Sequence, residues 1–141
     1  MRLDIWSDVV CPWCYVGKAR FEKALSDFPH RDEVEVVYRS FELDPDWPKD
    51  LRETALTMLS RKYRMPEEQV AASAGLDSGA VTEVLDSEAY ADAVRQDERE
   101  ARELGITGVP FFVFDMALGV SGAQPADTFT SALDQAWARR G

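Results

Sequence analysis

Cysteine and histidine are scarce in this chain, which has two of the first and one of the second among 141 residues. A closed structural zinc site takes about four ligands, so Cys11, Cys14 and the distant His30 cannot complete one without a second chain. The same scarcity excludes a disulfide-stapled secreted scaffold, and a bridge between such close neighbours would close too small a loop to constrain the unfolded chain much. Long apolar runs are also missing. None reaches the ~18 residues of a membrane span, and Met1-Arg2-Leu3-Asp4-Ile5-Trp6 leads into strand-like sequence without the apolar segment of a secretory leader. A cytoplasmic protein is the expectation. Positive charge is in short supply, with 16 Lys and Arg against 26 Asp and Glu and a net charge of −10. That balance argues against nucleic acid and anionic membranes as partners. Internal repeats and low-complexity stretches are lacking too.

What the chain does have is a core's worth of apolar residues, 45% of the total, with seven Phe, four Trp and four Tyr, enough for one ordinary domain. Leu3 and Ile5 alternate with Asp4 over Arg2 to Ser7, which predicts a short strand ending at Ser7-Asp8. From Pro12 the spacing of Val16, Phe21, Ala24, Leu25 and Phe28 predicts a helix, ended by Pro29 to Asp32. Residues Glu33 to Leu43, rich in Val and aromatics, read as a second strand before the turn at Asp44-Pro45-Asp46. The pattern is then helical from about Lys49 to Leu104, broken at Arg64 to Pro66, at Ala74-Gly75 and at Asp86-Ser87. Ser87 is expected to cap the last of these helices and Gly105 to end it. Phe111 to Phe114 and Leu118 to Ser121 read as strands around a turn at Asp115 to Ala117, and Pro125 to Arg139 as a final helix.

Two thiols three positions apart at a strand-to-helix junction suit disulfide exchange, which needs an attacking thiolate and a second thiol placed to release the mixed disulfide. Cys11 precedes the first helical turn, where unpaired N–H groups and the helix dipole favour negative charge, whereas Cys14 lies one turn inside. Cys11 is therefore the expected nucleophile and Cys14 the resolving thiol. The intervening Pro12-Trp13 provides a proline suited to the first helical position and an indole, but no imidazolium to stabilise a thiolate. A couple less oxidising than one with His beside the second cysteine is expected.

The stretches Ser7-Asp8-Val9-Val10-Cys11-Pro12-Trp13-Cys14, Ser40-Phe41-Glu42-Leu43-Asp44-Pro45, Gly105-Ile106-Thr107-Gly108-Val109-Pro110-Phe111-Phe112 and Gly119 to Gln124 closely resemble the DsbA-like family, in its cytoplasmic FrnE-like branch. The resemblance implies an α/β, thioredoxin-like fold with an inserted helical subdomain, 1–48 and 105–141 forming the thioredoxin-like domain and 49–104 the insertion. It implies a cis peptide bond at Val109-Pro110, with Pro110 beside the cysteine pair and Val109, Pro12 and Trp13 meeting substrate. It also implies a redox-active Cys11–Cys14 disulfide in place of a bound cofactor, protein disulfides or dithiols as substrates, and glutathione or a thioredoxin-type protein as reductant. Members of this branch carry a longer insertion, so the helical subdomain is expected to be truncated near 69–76, exposing apolar surface and favouring a homodimer. Two rival readings stand beside oxidoreduction. One is a glutathione-dependent enzyme like the kappa-class transferases and hydroxychromene-carboxylate isomerases, which normally have Ser where this chain has Cys11. The other is a binding or chaperone-like module with vestigial redox activity.

Other conspicuous residues have plainer expected roles. Asp8 serves the turn after the first strand and Asp4 faces solvent. Tyr38, Trp47 and Trp137 fill core or interface, Phe111, Phe112 and Phe114 are core, and His30 is a surface turn residue. The run Asp97 to Glu103, with Arg99 and Arg102, reads as a solvated helix face.

Overall fold

A computed structural model of the chain describes residues 1–46, 77–85 and 87–141, together with 60, 61, 64, 66, 69 and 75. The chain forms two compact units, Met1–Leu43 with Val94–Gly141, and Asp44–Ala93.

The first unit is built on a four-stranded sheet in the order β2-β1-β3-β4, where β1 is Arg2–Ser7, β2 Glu35–Ser40, β3 Phe111–Phe114 and β4 Leu118–Ser121. Strands β1 and β2 run parallel, with Ile5 opposite Tyr38, because helix α1 (Pro12–Ser26) carries the chain back between them. Strand β3 pairs antiparallel with β1, Ile5 opposite Phe112, and with β4, Phe112 opposite Val120. The β3–β4 turn sets Asp115 and Met116 at φ of 44° and 54°, and the Asp115 carboxylate accepts the Arg2 amide at 2.7 Å.

One face of the sheet, through Leu3, Ile5, Phe112 and Phe114, is covered by α1 and by the helix Ala126–Ala138. At the centre Phe21, Phe112 and Phe129 meet with ring centroids 4.6 to 5.9 Å apart. Burying each such side chain stabilises the fold by about 1.5–3 kcal/mol, and their tilted and edge-on geometry adds to it. The opposite face carries Trp6 and Val113, packed with Ala101 and Ile106. Ala101 comes from the helix Ala91–Glu103, which closes on Gly105 at φ +72°. The Ile106 amide reaches the Ala101 carbonyl at 2.8 Å and the Gly105 amide the Arg102 carbonyl at 3.1 Å, a Schellman closure that needs glycine's left-handed conformation.

Here the structure departs from the sequence reading. The helix begins at Ala91, three residues past the expected start at Glu88, since the Ser87 hydroxyl turns back to the Val84 carbonyl at 3.1 Å and caps nothing in it. From Val94 this helix belongs to the sheet-bearing unit, so that unit resumes before the expected boundary at 105. Its acidic face is not solvated throughout: Asp97 and Glu98 are buried or nearly so, and ion-paired. Asp4, expected in solvent, is 2% exposed on this face of β1, held by Arg2 and Arg39. Strand β2 is shorter than the expected Glu33 to Leu43, because Arg31–Glu33 form a 3-10 turn.

In chain order the helices are α1, α2 (Ser78–Leu85), α3 (Ala91–Glu103) and α4 (Ala126–Ala138). Helix α2 belongs to the second unit and is N-capped by Asp77, whose carboxylate accepts the Ala80 amide at 2.8 Å. Trp47, and most of positions 49–76 of the expected insertion with the shortened stretch near 69–76, fall outside the described residues. No described helix is long and apolar enough to cross a membrane.

Candidate active site

Cys11 is the N-cap residue of α1, in extended conformation with φ −88° and ψ 110°, and Pro12 takes the first helical position, where its missing N–H costs nothing. The loop before it is organised by Asp8. Its carboxylate accepts the Val10 amide at 3.1 Å and the Leu43 amide at 2.8 Å, and its carbonyl accepts the Cys11 amide at 3.2 Å. Asp8 thus serves the turn as expected, and it also ties that turn to the segment leaving β2.

Both cysteines are free thiols and both are buried, Cys11 at 9% and Cys14 at 7% exposed. The Cys11 thiol points to the Val109 carbonyl, 3.9 Å away, and the peptide bond from Val109 to Pro110 is cis. Burial pushes the Cys14 thiol up from its ordinary range, and the neighbouring charge of Cys11 pushes the same way. Hydrogen bonding from the Asp8 amide and the Ser7 hydroxyl, which line the same cleft as Cys14, opposes that rise.

The expected site residues Cys11, Cys14, Val109 and Pro110 thus come together, although nearly a hundred positions separate the halves of the group in sequence, 98 between Cys11 and Val109. Pro12 and Trp13 lie on the outer side, Trp13 being 62% exposed and packed into no core. Around them Val9 at 95%, Val10 and Tyr15 are also exposed, so the sulfurs sit in an apolar rim.

Three features escaped the sequence reading. Gly17 lies inside α1 where a β-carbon would stand 2.8 Å from Pro110 Cγ, and this close approach sets Pro110 against the cysteine helix. An isolated glycine within a helical pattern was the available signal. Arg20 on the same helix donates to the Ala123 carbonyl at 2.6 Å, and the Pro110 carbonyl accepts the Gly122 amide at 2.8 Å, which fastens this side of the site. Tyr38, expected as filler, is half exposed and lines an open cleft of about 170 Å³ with Ser7, Asp8, Cys11, Cys14, Tyr15 and Lys18. Among the described residues no three His, Cys, Asp or Glu side chains converge as a metal-ligand group.

The model of the DSBA-like thioredoxin domain family matches residues 2–67 and 66–134 of the chain. The crystal structure of a probable DsbA oxidoreductase from Streptomyces coelicolor is similar over 100% of this chain and 92% of its own, at 44% identity and a TM-score of 0.81. A thioredoxin-like oxidoreductase from Silicibacter pomeroyi shares the fold at 21% identity, with a TM-score of 0.67 over 99% of this chain and 87% of its own. A periplasmic thioredoxin-like protein from Salmonella enterica serovar Typhimurium does so at 21% identity, with a TM-score of 0.64 over 97% and 84%. The uncharacterized protein YwbO of Bacillus subtilis is 44% identical over 45 residues, a match spanning 32% of this chain and only 20% of that protein.

Proposed function

The chain belongs to the DsbA-like thioredoxin domain family, and from that premise we propose that it exchanges disulfides with protein substrates through a mixed disulfide at Cys11. Thiol-disulfide oxidoreduction is the reaction class that goes with the family; the roles of individual residues are our reading. The observation that carries it is the Cys11 sulfur at the N-terminus of α1, facing the Val109 carbonyl ahead of Pro110.

In the reducing direction the Cys11 thiolate attacks a substrate disulfide, and the displaced substrate sulfur leaves and takes up a proton. Cys14, once deprotonated, attacks Cys11 Sγ, expels the second substrate sulfur as a thiolate that is then protonated, and forms the Cys11–Cys14 bond. Two electrons pass from the cysteine pair to the substrate. Run backwards, the same steps place a disulfide in the substrate. Turnover as a reductase needs glutathione or a thioredoxin-type protein to return the pair to dithiols.

A protein substrate is favoured over a small thiol alone by the exposed Val9, Val10, Trp13 and Tyr15 around the sulfurs, a rim able to hold an apolar extended segment. Backbone pairing at Val109 would align that segment beside Cys11. Insulin reduction and refolding of a scrambled disulfide protein test the proposal. Cys11→Ser abolishes both activities and Cys14→Ser accumulates a mixed disulfide on Cys11; activity surviving Cys11→Ser refutes it.

A further inference from the structure

When Cys14 attacks Cys11, or is expelled from it in the reverse direction, a buried sulfur must carry negative charge. The alternation of β1 sends Leu3, Ile5 and Ser7 toward α1, and of these only Ser7 can hydrogen-bond. The titratable groups that line the cleft with Cys14 are Cys11, Asp8, Tyr15 and Lys18 from the loop and α1, and Tyr38 from β2. Each carboxylate oxygen of Asp8 already accepts an amide, from Val10 and Leu43. The Lys18 ammonium is paired with Glu22 at 2.5 Å. Burial raises the Tyr38 phenol above its ordinary range, so it stays neutral at physiological pH. Of the groups on the cleft, the Asp8 amide, which every residue type but proline would supply, and the Ser7 hydroxyl, which is a property of this sequence, are the donors that favour the Cys14 thiolate.

We propose that Ser7 is a catalytic residue, its hydroxyl donating a hydrogen bond to the Cys14 thiolate in the resolving step. The bond is to a charged acceptor in a partly dry site, where such bonds are strongest. The electron and proton balance of exchange is unchanged: Ser7 keeps its proton throughout and stabilises the charge on Cys14 until the S–S bond forms. By microscopic reversibility it equally stabilises Cys14 as leaving group when a substrate thiolate attacks the oxidised pair.

The inference rests on reading Cys11 and Cys14 as a redox pair, and its test separates the two. In a Cys11→Ala background, which leaves Cys14 as the sole thiol, thiolate absorbance is followed against pH with Ser, Ala or Thr at position 7. In the protein with both cysteines, reaction with oxidised glutathione is acid-quenched and the mixed disulfide is counted by mass. Ser7→Ala lowers the Cys14 thiolate population about tenfold at a given pH below its midpoint and prolongs the mixed disulfide about tenfold, while Ser7→Thr restores both. Unchanged titration and unchanged resolution in Ser7→Ala overturn the role of Ser7, even if Cys11→Ser abolishes activity. A mixed disulfide that never resolves in the protein with native Ser7 instead overturns the redox reading, and the Cys14 titration still decides whether Ser7 bonds that sulfur.

Discussion

Gly17 shows how one missing β-carbon shapes the site. Alanine there favours the helix by up to about 1 kcal/mol, but its β-carbon meets Pro110 Cγ at 2.8 Å and Ala123 at 3.5 Å, so the Pro110 loop must shift. Overpacking of this kind costs about 1–3 kcal/mol. Gly17→Ala is therefore expected to change stability by no more than about 2 kcal/mol in urea unfolding, while insulin reduction falls about tenfold as Val109 moves away from Cys11. Wild-type turnover in this variant would show that the close approach does not position the site. The residues between the cysteines have a separate consequence. Without an imidazolium at Pro12-Trp13 the Cys11 thiolate of the reduced pair gains no cationic stabilisation from the residues between the cysteines, and equilibration in glutathione buffers should give a potential well below the about −120 mV of the strongest oxidants.

At the scale of elements, α3 is bound to the sheet by charge as well as by the packing of Ala101. Arg39 on β2 donates to Asp4 on β1 at 2.8 Å and to Asp97 on α3 at 2.9 Å, Trp6 Nε1 reaches the Asp97 carbonyl at 2.9 Å, and the Asp97 carboxylate accepts the Ser40 amide at 2.8 Å. Removing one partner from such a group strands the others, so Arg39→Met should destabilise the protein by about 3 kcal/mol in urea, with Arg2 still holding Asp4. Burial by itself would raise the Asp4 carboxyl, but hydrogen bonds from Arg2 and Arg39 outweigh it and hold the group below the usual carboxylate range. A carboxyl lowered by folding stabilises the native state above its unfolded value of about 3.9 and loses that contribution as pH falls through the folded value. Stability should therefore drop below about pH 4, more steeply in the wild type than in Asp4→Asn. An identical acid profile for the two would remove Asp4 from this role.

Over the whole molecule, a net charge of −10 on 141 residues makes the folded chain self-repelling. Salt screens exposed charges over about 10 Å at 0.1 M and buried pairs much less. Added sodium chloride should therefore raise the unfolding temperature of the wild-type protein from its low-salt value, because it relieves surface repulsion while leaving the Asp4–Arg39–Asp97 group largely intact. A fall in that temperature with salt would mean that favourable surface pairs such as Lys18–Glu22 outweigh the repulsion.

Local chemistry wrote much of this protein into its sequence. Alternation marked β1, helical period and proline marked α1 and its N-terminal cysteine, Gly105 marked the end of α3, and Leu118 to Ser121 and Pro125 marked the last strand and helix, since each depends on neighbours a few residues away. That Cys11 and Cys14 fall together at the start of α1 needed no more than their spacing. Tertiary structure alone decided the rest. Alternation tells that Asp4 points away from Leu3 and Ile5, but not that α3 covers that face, so a buried ion-paired carboxylate looks like a solvated one. For the same reason Asp97 and Glu98 read as surface, Gly17 drew no expectation and Ser7 read as the end of a strand. What gives each its role is a group brought near by the fold: Arg39 for Asp4, Pro110 for Gly17, and for Ser7 the cleft it shares with Cys14.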